Sequence, residues 1–334
     1  MPTRLIPRND PEANVVAYIE LEEPFRKILE RFAVRNARRM MELVSEILTA
    51  AGYDGSNKAS ILVRQADPSA VRSLERLAQS LPERDRDRLM SKLVGQVGTG
   101  SLTVRKALDN VIRYGSRADA SELYTQGKAA LRRTATEGML RGEFMVQKSV
   151  GIGWQMETPG MREVDAFLKG RWTEQDAAAY LKPMSQVVRD QVETGLMLGE
   201  HPTKIAKRMQ QVENISEVRA KRNARTITTA VANDAQMRQY RKDGIEKYRF
   251  VATFDERTCP VCGDLDHREF KLSERSSSTY PPIHPNCRCT TVAVLSKEAE
   301  DHIQSIAEAY AKRDGITDAV LPSTTYNEWK KTHT

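Results

Sequence analysis

The chain has 334 residues, of which 29% are charged and 6% aromatic, and a formal net charge of +7. That length fits two domains with a sizeable core, and many charges with few aromatics favour helices over a β-rich fold. No apolar run reaches about 18 residues, so no membrane-spanning helix is expected, and the opening MPTRLIPRNDPE lacks the apolar region of a secretory signal, so the chain is expected in a reducing cytosol.

Residues 1–10 read as a loose arm, with Asp10 capping a helix that has Pro11 at its first position. Val15, Ile19, Phe25, Ile28, Phe32, Met40, Val44 and Ile47 then recur at helical spacing until Gly52. Further helices are expected after Asn57, from Asp67-Pro68, from Pro82, and through residues 101–149, their Met and Leu stripes forming a core. The Gly151-Ile-Gly153-Trp154 and Thr158-Pro-Gly160 stretches mark a boundary. The domains read from sequence are a helical region at 1–150, a second helical region at 151–247, a small β element at 248–296, and a helix with a flexible tail at 297–334.

In the second region Thr173 reads as an N-cap, Thr203 as another, and Ser216 as the cap of a long helix over about 217–243. Its stripe of Ala220, Ala224, Ile227, Val231 and Ala235 is small enough for another helix to approach closely. Residues 201–249 hold twelve Lys or Arg against five Asp or Glu, an excess equal to that of the whole chain. A long basic helix with Arg219, Lys221, Arg222, Arg225, Arg238, Arg241 and Lys242 is therefore expected to face solvent or an acidic partner. If that partner is DNA, non-specific phosphate contacts are expected, because no base-reading motif is present.

After Gly244 the period changes to two. Tyr248, Phe250, Ala252 and Phe254 fall on one face of a half-buried strand, and Arg268–Leu272 and Thr290–Leu295 supply two more strands. All four cysteines lie here, in DERTCPVCGDLDHREFKLSERSSSTYPPIHPNCRCTT. Cys259-Pro-Val-Cys262 is a C-x2-C hook, and His284-Pro-Asn-Cys287-Arg-Cys289 is a second donor cluster. Two such clusters across a polar loop can close a tetrahedral site, and thiolates favour Zn2+, most simply as a structural ion. The five donors compete for four places: Cys259 and Cys262, then Cys287 and Cys289, with His284 close behind. A Cys259–Cys262 disulfide, or four small buried apolar side chains, would use the same residues differently. The ion would offset the entropy of ordering a marginal three-stranded ribbon. The fold class is mainly α, with a small antiparallel β element carrying a zinc-knuckle-like Cys/His cluster. Residues 297–313 read as a last amphipathic helix, with Ile303, Ile306 and Tyr310 inward.

The same stretch resembles the C-terminal signature of the phage head morphogenesis family, the Mu F-like minor head proteins. The resemblance rests on Asp255, Arg257-Thr258-Cys259-Pro260, Cys262, Leu265-Asp266 and Pro281-Pro282 through Cys289. It extends upstream to Asn223-Ala-Arg-Thr226, Ala230, Asn233 and Tyr240, covering about residues 185–295. Where that family carries glycine after the Leu-Asp pair, this chain has His267. The resemblance implies a virion protein present in few copies near the portal, assembled in the host cytoplasm beside portal and major capsid proteins and packaged DNA. Asp266-His267, His284 and Asn286 also resemble a His-Asn-His nuclease finger, though the usual second C-x2-C is missing, so no enzyme activity is expected. A DNA-binding module without a capsid role is the other alternative. No Walker loop, dinucleotide fingerprint or nucleophile elbow appears, and the histidines at 201, 267, 284, 302 and 333 suggest no triad.

Overall fold

A computed structural model of the chain describes residues 17–56, 58–253, 258–299, 301–303, 305, 318–319 and 326–334. The expectations for Asp10, Pro11, Val15, Phe254, Asp255, Arg257, Ile306 and Tyr310 lie outside these residues. The chain is mainly helical and divides into two units that interleave in sequence. Unit 1 comprises Met1–Arg26, Lys128–Arg171 and Arg222–Thr334, and unit 2 comprises Lys27–Gly127 and Trp172–Lys221.

The helices begin with α1 (Ala17–Ala50), α2 (Lys58–Val63), α3 (Pro68–Gln79), α4 (Glu83–Gly98), α5 (Val104–Ala118) and α6 (Ala120–Val150). There follow α7 (Met161–Leu168), α8 (Glu174–Met197), α9 (Pro202–Lys207), α10 (Met209–Lys242), α11 (Pro260–Leu265) and α12 (Tyr326–His333).

In unit 2 the expected stripes are core: Phe32, Met40, Val44, Ile47, Leu74 and Leu77 are all buried. Local signals set the ends. Asp67 accepts the Ser69 and Ala70 N–H groups at the start of α3, and Thr173 with Asp176 makes a reciprocal capping box on α8. Thr203 is not a cap, because it lies inside α9 and its N–H is held by His201 Nδ1. A buried polar centre ties α1 to α5: Asn36 donates to Gly115 O at 2.6 Å, and the buried Asp119 carboxylate takes Arg35 and Arg39.

Unit 1 holds the β elements. β2 (Lys247–Val251) lies between β3 (Glu269–Lys271) and β4 (Thr290–Val294), both antiparallel to it, and Tyr248 sits opposite Phe270 and Ala293. Tyr248, Phe250 and Ala252 are fully buried, as the alternation predicts, but Val251 on the other face is also buried, against Val292 and Met145. The strand is therefore covered on both sides at that end.

The long helix starts at Met209, so Ser216 is an interior residue and not its cap. It stops where Gly244 adopts φ 74° and the Ile245 N–H returns to Tyr240 O. From Thr228 to Tyr240 almost every side chain is buried, so this half of the helix is a core element and not a solvated basic face. The helix that approaches its small-residue stripe is α6. A Cβ on Gly138 would lie 2.6 Å from Ala232 O and 2.8 Å from Ala235 Cβ, and one on Gly142 would lie 2.8 Å from Gln239 Cβ. Only glycine permits this approach.

The far C-terminal stretch, expected to be a tail without order, contributes two elements. β5 (Asp318–Ala319) pairs with β1 (Ile152–Gly153), and α12 buries Trp329 completely against Leu140 and Phe144. A single tryptophan with its indole N–H bonded can anchor a short helix that shows no apolar period.

Candidate metal centre

The hook is built on a turn. Cys259 caps α11, its Sγ accepting the Cys262 N–H at 3.3 Å, and Pro260 occupies the first helical position, where no N–H is needed. Asp266 closes the turn by accepting the Ala252 N–H at 2.8 Å, and the next residue, His267, returns its own N–H to Phe250 O. His267 has φ 61°, the left-handed region that favours glycine. The position therefore accounts for the family's glycine.

The second donor cluster turns at Asn286, also left-handed at φ 71°, where the Cys287 N–H bonds His284 O. α10 grips this turn and the strand after it. Asn286 N–H donates to Thr226 Oγ1, Arg225 donates to Asn286 Oδ1 at 2.8 Å, and Thr229 donates to Cys287 O at 3.1 Å. One turn further on, Asn233 donates to Cys289 O at 3.1 Å and accepts from Thr290 Oγ1, and Gln236 and Tyr240 both reach Thr291 O. Thr226, Thr229, Asn233, Gln236 and Tyr240 thus form a polar seam at spacings of three and four, one face of a helix. Thr226, Asn233 and Tyr240 entered the sequence reading only through the family resemblance, and the seam they form with Thr229 and Gln236 was missed because the helix was followed by its apolar stripe, although the signal was a run of hydroxyl and amide side chains at helical period.

These scaffolds bring all five donors together. His284 Nε2 lies 3.2 Å from Cys259 Sγ and 3.3 Å from Cys262 Sγ, and Cys262 Sγ lies 4.0 Å from Cys287 Sγ. The donors form two triads, Cys259–Cys262–His284 and Cys262–Cys287–Cys289, with donor atoms within 4.8 Å inside each. Cys262 belongs to both. All four cysteines are free, so the disulfide alternative does not describe them. For metal–sulfur bonds of about 2.3 Å a tetrahedral edge is about 3.8 Å, and the observed separations bracket that value. The residues fit a metal ion.

The electrostatics point the same way. Hydrogen bonds from Cys262 and Cys289 pull the Cys287 thiol down to about 2, whereas the contact with Cys287 pushes the Cys262 thiol far up. Three sulfurs this close cannot all ionise without a cation. The His284 ring is held in a coordinating orientation. Its Nδ1 lies 2.8 Å from Pro285 O, so Nδ1–H donates there and the Nε2 lone pair faces the sulfurs. Burial opposes protonation of this ring, but the Pro285 carbonyl and the neighbouring sulfurs hold its pKa above the ordinary value.

The seven basic residues named from sequence differ in exposure and in their partners. Arg225 is engaged by Glu22 at 2.9 Å and by Asn286, Lys221 pairs with Glu217, and Arg238 pairs with Glu163. Arg219 is half-buried, and Arg222, Arg241 and Lys242 are exposed.

No curated protein and no solved structure matches the chain. Residues 186–292 match the family described as Phage Mu protein F like protein. The match covers α10, β2, β3, the start of β4 and both halves of the donor cluster, and this segment is therefore similar to the phage head morphogenesis family.

Proposed function

We propose that the chain is a minor head protein, built into the procapsid in few copies near the portal, where it assists assembly or genome delivery. The observation that carries this is the clasp on α10. Five converging donors and a polar seam hold a small sheet rigidly on one helix, as a docking tip for portal or major capsid protein requires. Zn2+ is the ion we assign, held through Cys262 with ligands from both triads, and its role is to brace the tip. Mass spectrometry of purified particles tests the reading: this chain should appear at a small fraction of the main shell protein, and its absence from particles would remove it.

We further infer a non-enzymatic role. Both ring nitrogens of His284 are engaged, Asp266 holds a backbone N–H, and Asn286 faces Arg225, so the nuclease reading lacks a base with a free nitrogen at that position. A plasmid-nicking assay with Mg2+, with His267→Ala as control, should give no cleavage. Any contact with packaged DNA would run through the exposed Arg222, Arg241 and Lys242. Replacing Arg241 and Lys242 by alanine should then lower the slope of log affinity against log salt by about one for each lost phosphate contact.

A further inference from the structure

Outside the sulfur cluster, unit 1 buries a pair of acids. Glu143 on α6 is 3% exposed and Asp243, just past the end of α10, is 5% exposed. One amide serves both: Gln239 Nε2 donates to Glu143 Oε2 and, at 3.2 and 3.1 Å, to the two oxygens of Asp243. Among the described residues neither acid is in an ion pair. Lys242 acts on both from α10, and His302 lies against Gly244. Glu143 also meets Gln147 on α6 and the Trp154 side chain beyond the end of that helix.

The pair is wired to the C-terminal helix. Gln147 Nε2 donates to Glu143 Oε1 at 3.3 Å and to Trp154 O at 3.2 Å. Its Oε1 accepts the Trp154 N–H at 3.3 Å and the Trp329 indole N–H at 2.6 Å. The orientation of this amide is thereby set, nitrogen toward the acid and oxygen toward the indole. Two carboxylates that share one amide in a dry site repel each other once both are charged.

We propose that Glu143 and Asp243 form a proton-controlled latch on α12: while the pair keeps one proton, Gln239 and Gln147 hold Trp329 in place, and loss of that proton to solvent drives the acids apart and frees the helix. Burial, reinforced by the Glu143 charge, raises Asp243 to about 7, and burial also raises Glu143. Between the ordinary carboxylate range and about 7 the folded state therefore binds more protons than the unfolded one. Stability from the pair falls as pH rises through that window and is level above it.

The test uses the full chain with Trp172→Phe, which leaves Trp154 and Trp329 as reporters. Their emission is followed from about pH 5 to about pH 9 alongside circular dichroism. The expected result is an emission shift with a midpoint near 7, absent in Asp243→Asn and in Glu143→Gln. The same transition in both amide variants, or no transition in the parent, overturns the latch. Should the amide variants fail to fold, infrared spectra of the parent decide. A protonated carboxyl C=O band that persists above the ordinary carboxylate range and vanishes near neutrality supports the latch, and absence of such a band overturns it.

Discussion

Asn233 holds the carbonyl of Cys289 with a 3.1 Å hydrogen bond from its side-chain amide, while its own amide oxygen accepts from Thr290. A fully buried side chain on a helix thus sets the backbone that carries a candidate ligand. Asn233→Leu leaves the Cys289 carbonyl and the Thr290 hydroxyl without these partners. We expect a loss of about 2 kcal/mol in stability and a metal affinity about tenfold weaker, measured by denaturant unfolding and by competition with a chromophoric chelator.

Cys262 is the one donor common to both triads, so the five ligands are not equivalent. Cys262→Ser should abolish metal retention. Cys259→Ser, His284→Ala, Cys287→Ser and Cys289→Ser should each retain metal with weakened affinity, because each leaves one triad whole. Elemental analysis of the purified variants checks the ranking. Chelation of the parent should lower its melting temperature, since binding and folding share free energy. An unchanged melting curve in chelator would count against a structural ion.

His267→Gly should stabilise the protein by about 0.5–1 kcal/mol. The left-handed backbone costs a non-glycine residue about 1–2 kcal/mol, and the added freedom of glycine in the unfolded chain takes back part of that gain. The His267 ring is exposed and meets Asp266 Oδ2 at 3.2 Å, a contact worth little at the surface. Chemical denaturation of the two forms side by side decides this.

Gly138→Val places side-chain atoms where Ala232 O and Ala235 Cβ already stand. Backbone cannot yield as a long side chain can, so the two helices must separate, at a cost of about 3 kcal/mol. A melting temperature within a degree or two of the parent would show that α6 and α10 do not approach as described.

Much of this arrangement was legible in the sequence, and the gaps have physical causes. The C-x2-C hook and the His-Pro-Asn-Cys-Arg-Cys run announced the donors, because metal chemistry demands particular side chains at short spacing. Tyr248, Phe250 and Ala252 announced the central strand through a period of two. Ser216 misled, since a residue suited to capping can also sit on a helix that begins a turn or two earlier. The Gly138 and Gly142 pair in α6 was invisible as a contact until its partner was known, since glycine announces only that something comes near. Trp329 lay in a stretch with no apolar rhythm, and a lone anchor carries no period to detect.

Unit 1 is assembled from three separated stretches of chain, and its core includes Trp329, whereas unit 2 needs nothing beyond Lys221. On the ribosome, unit 2 can therefore mature while unit 1 still waits for its last anchor. During that interval the α6 surface that Trp329 will cover stands open to water, and a chaperone or an assembling neighbour has a brief chance to reach it before α12 docks.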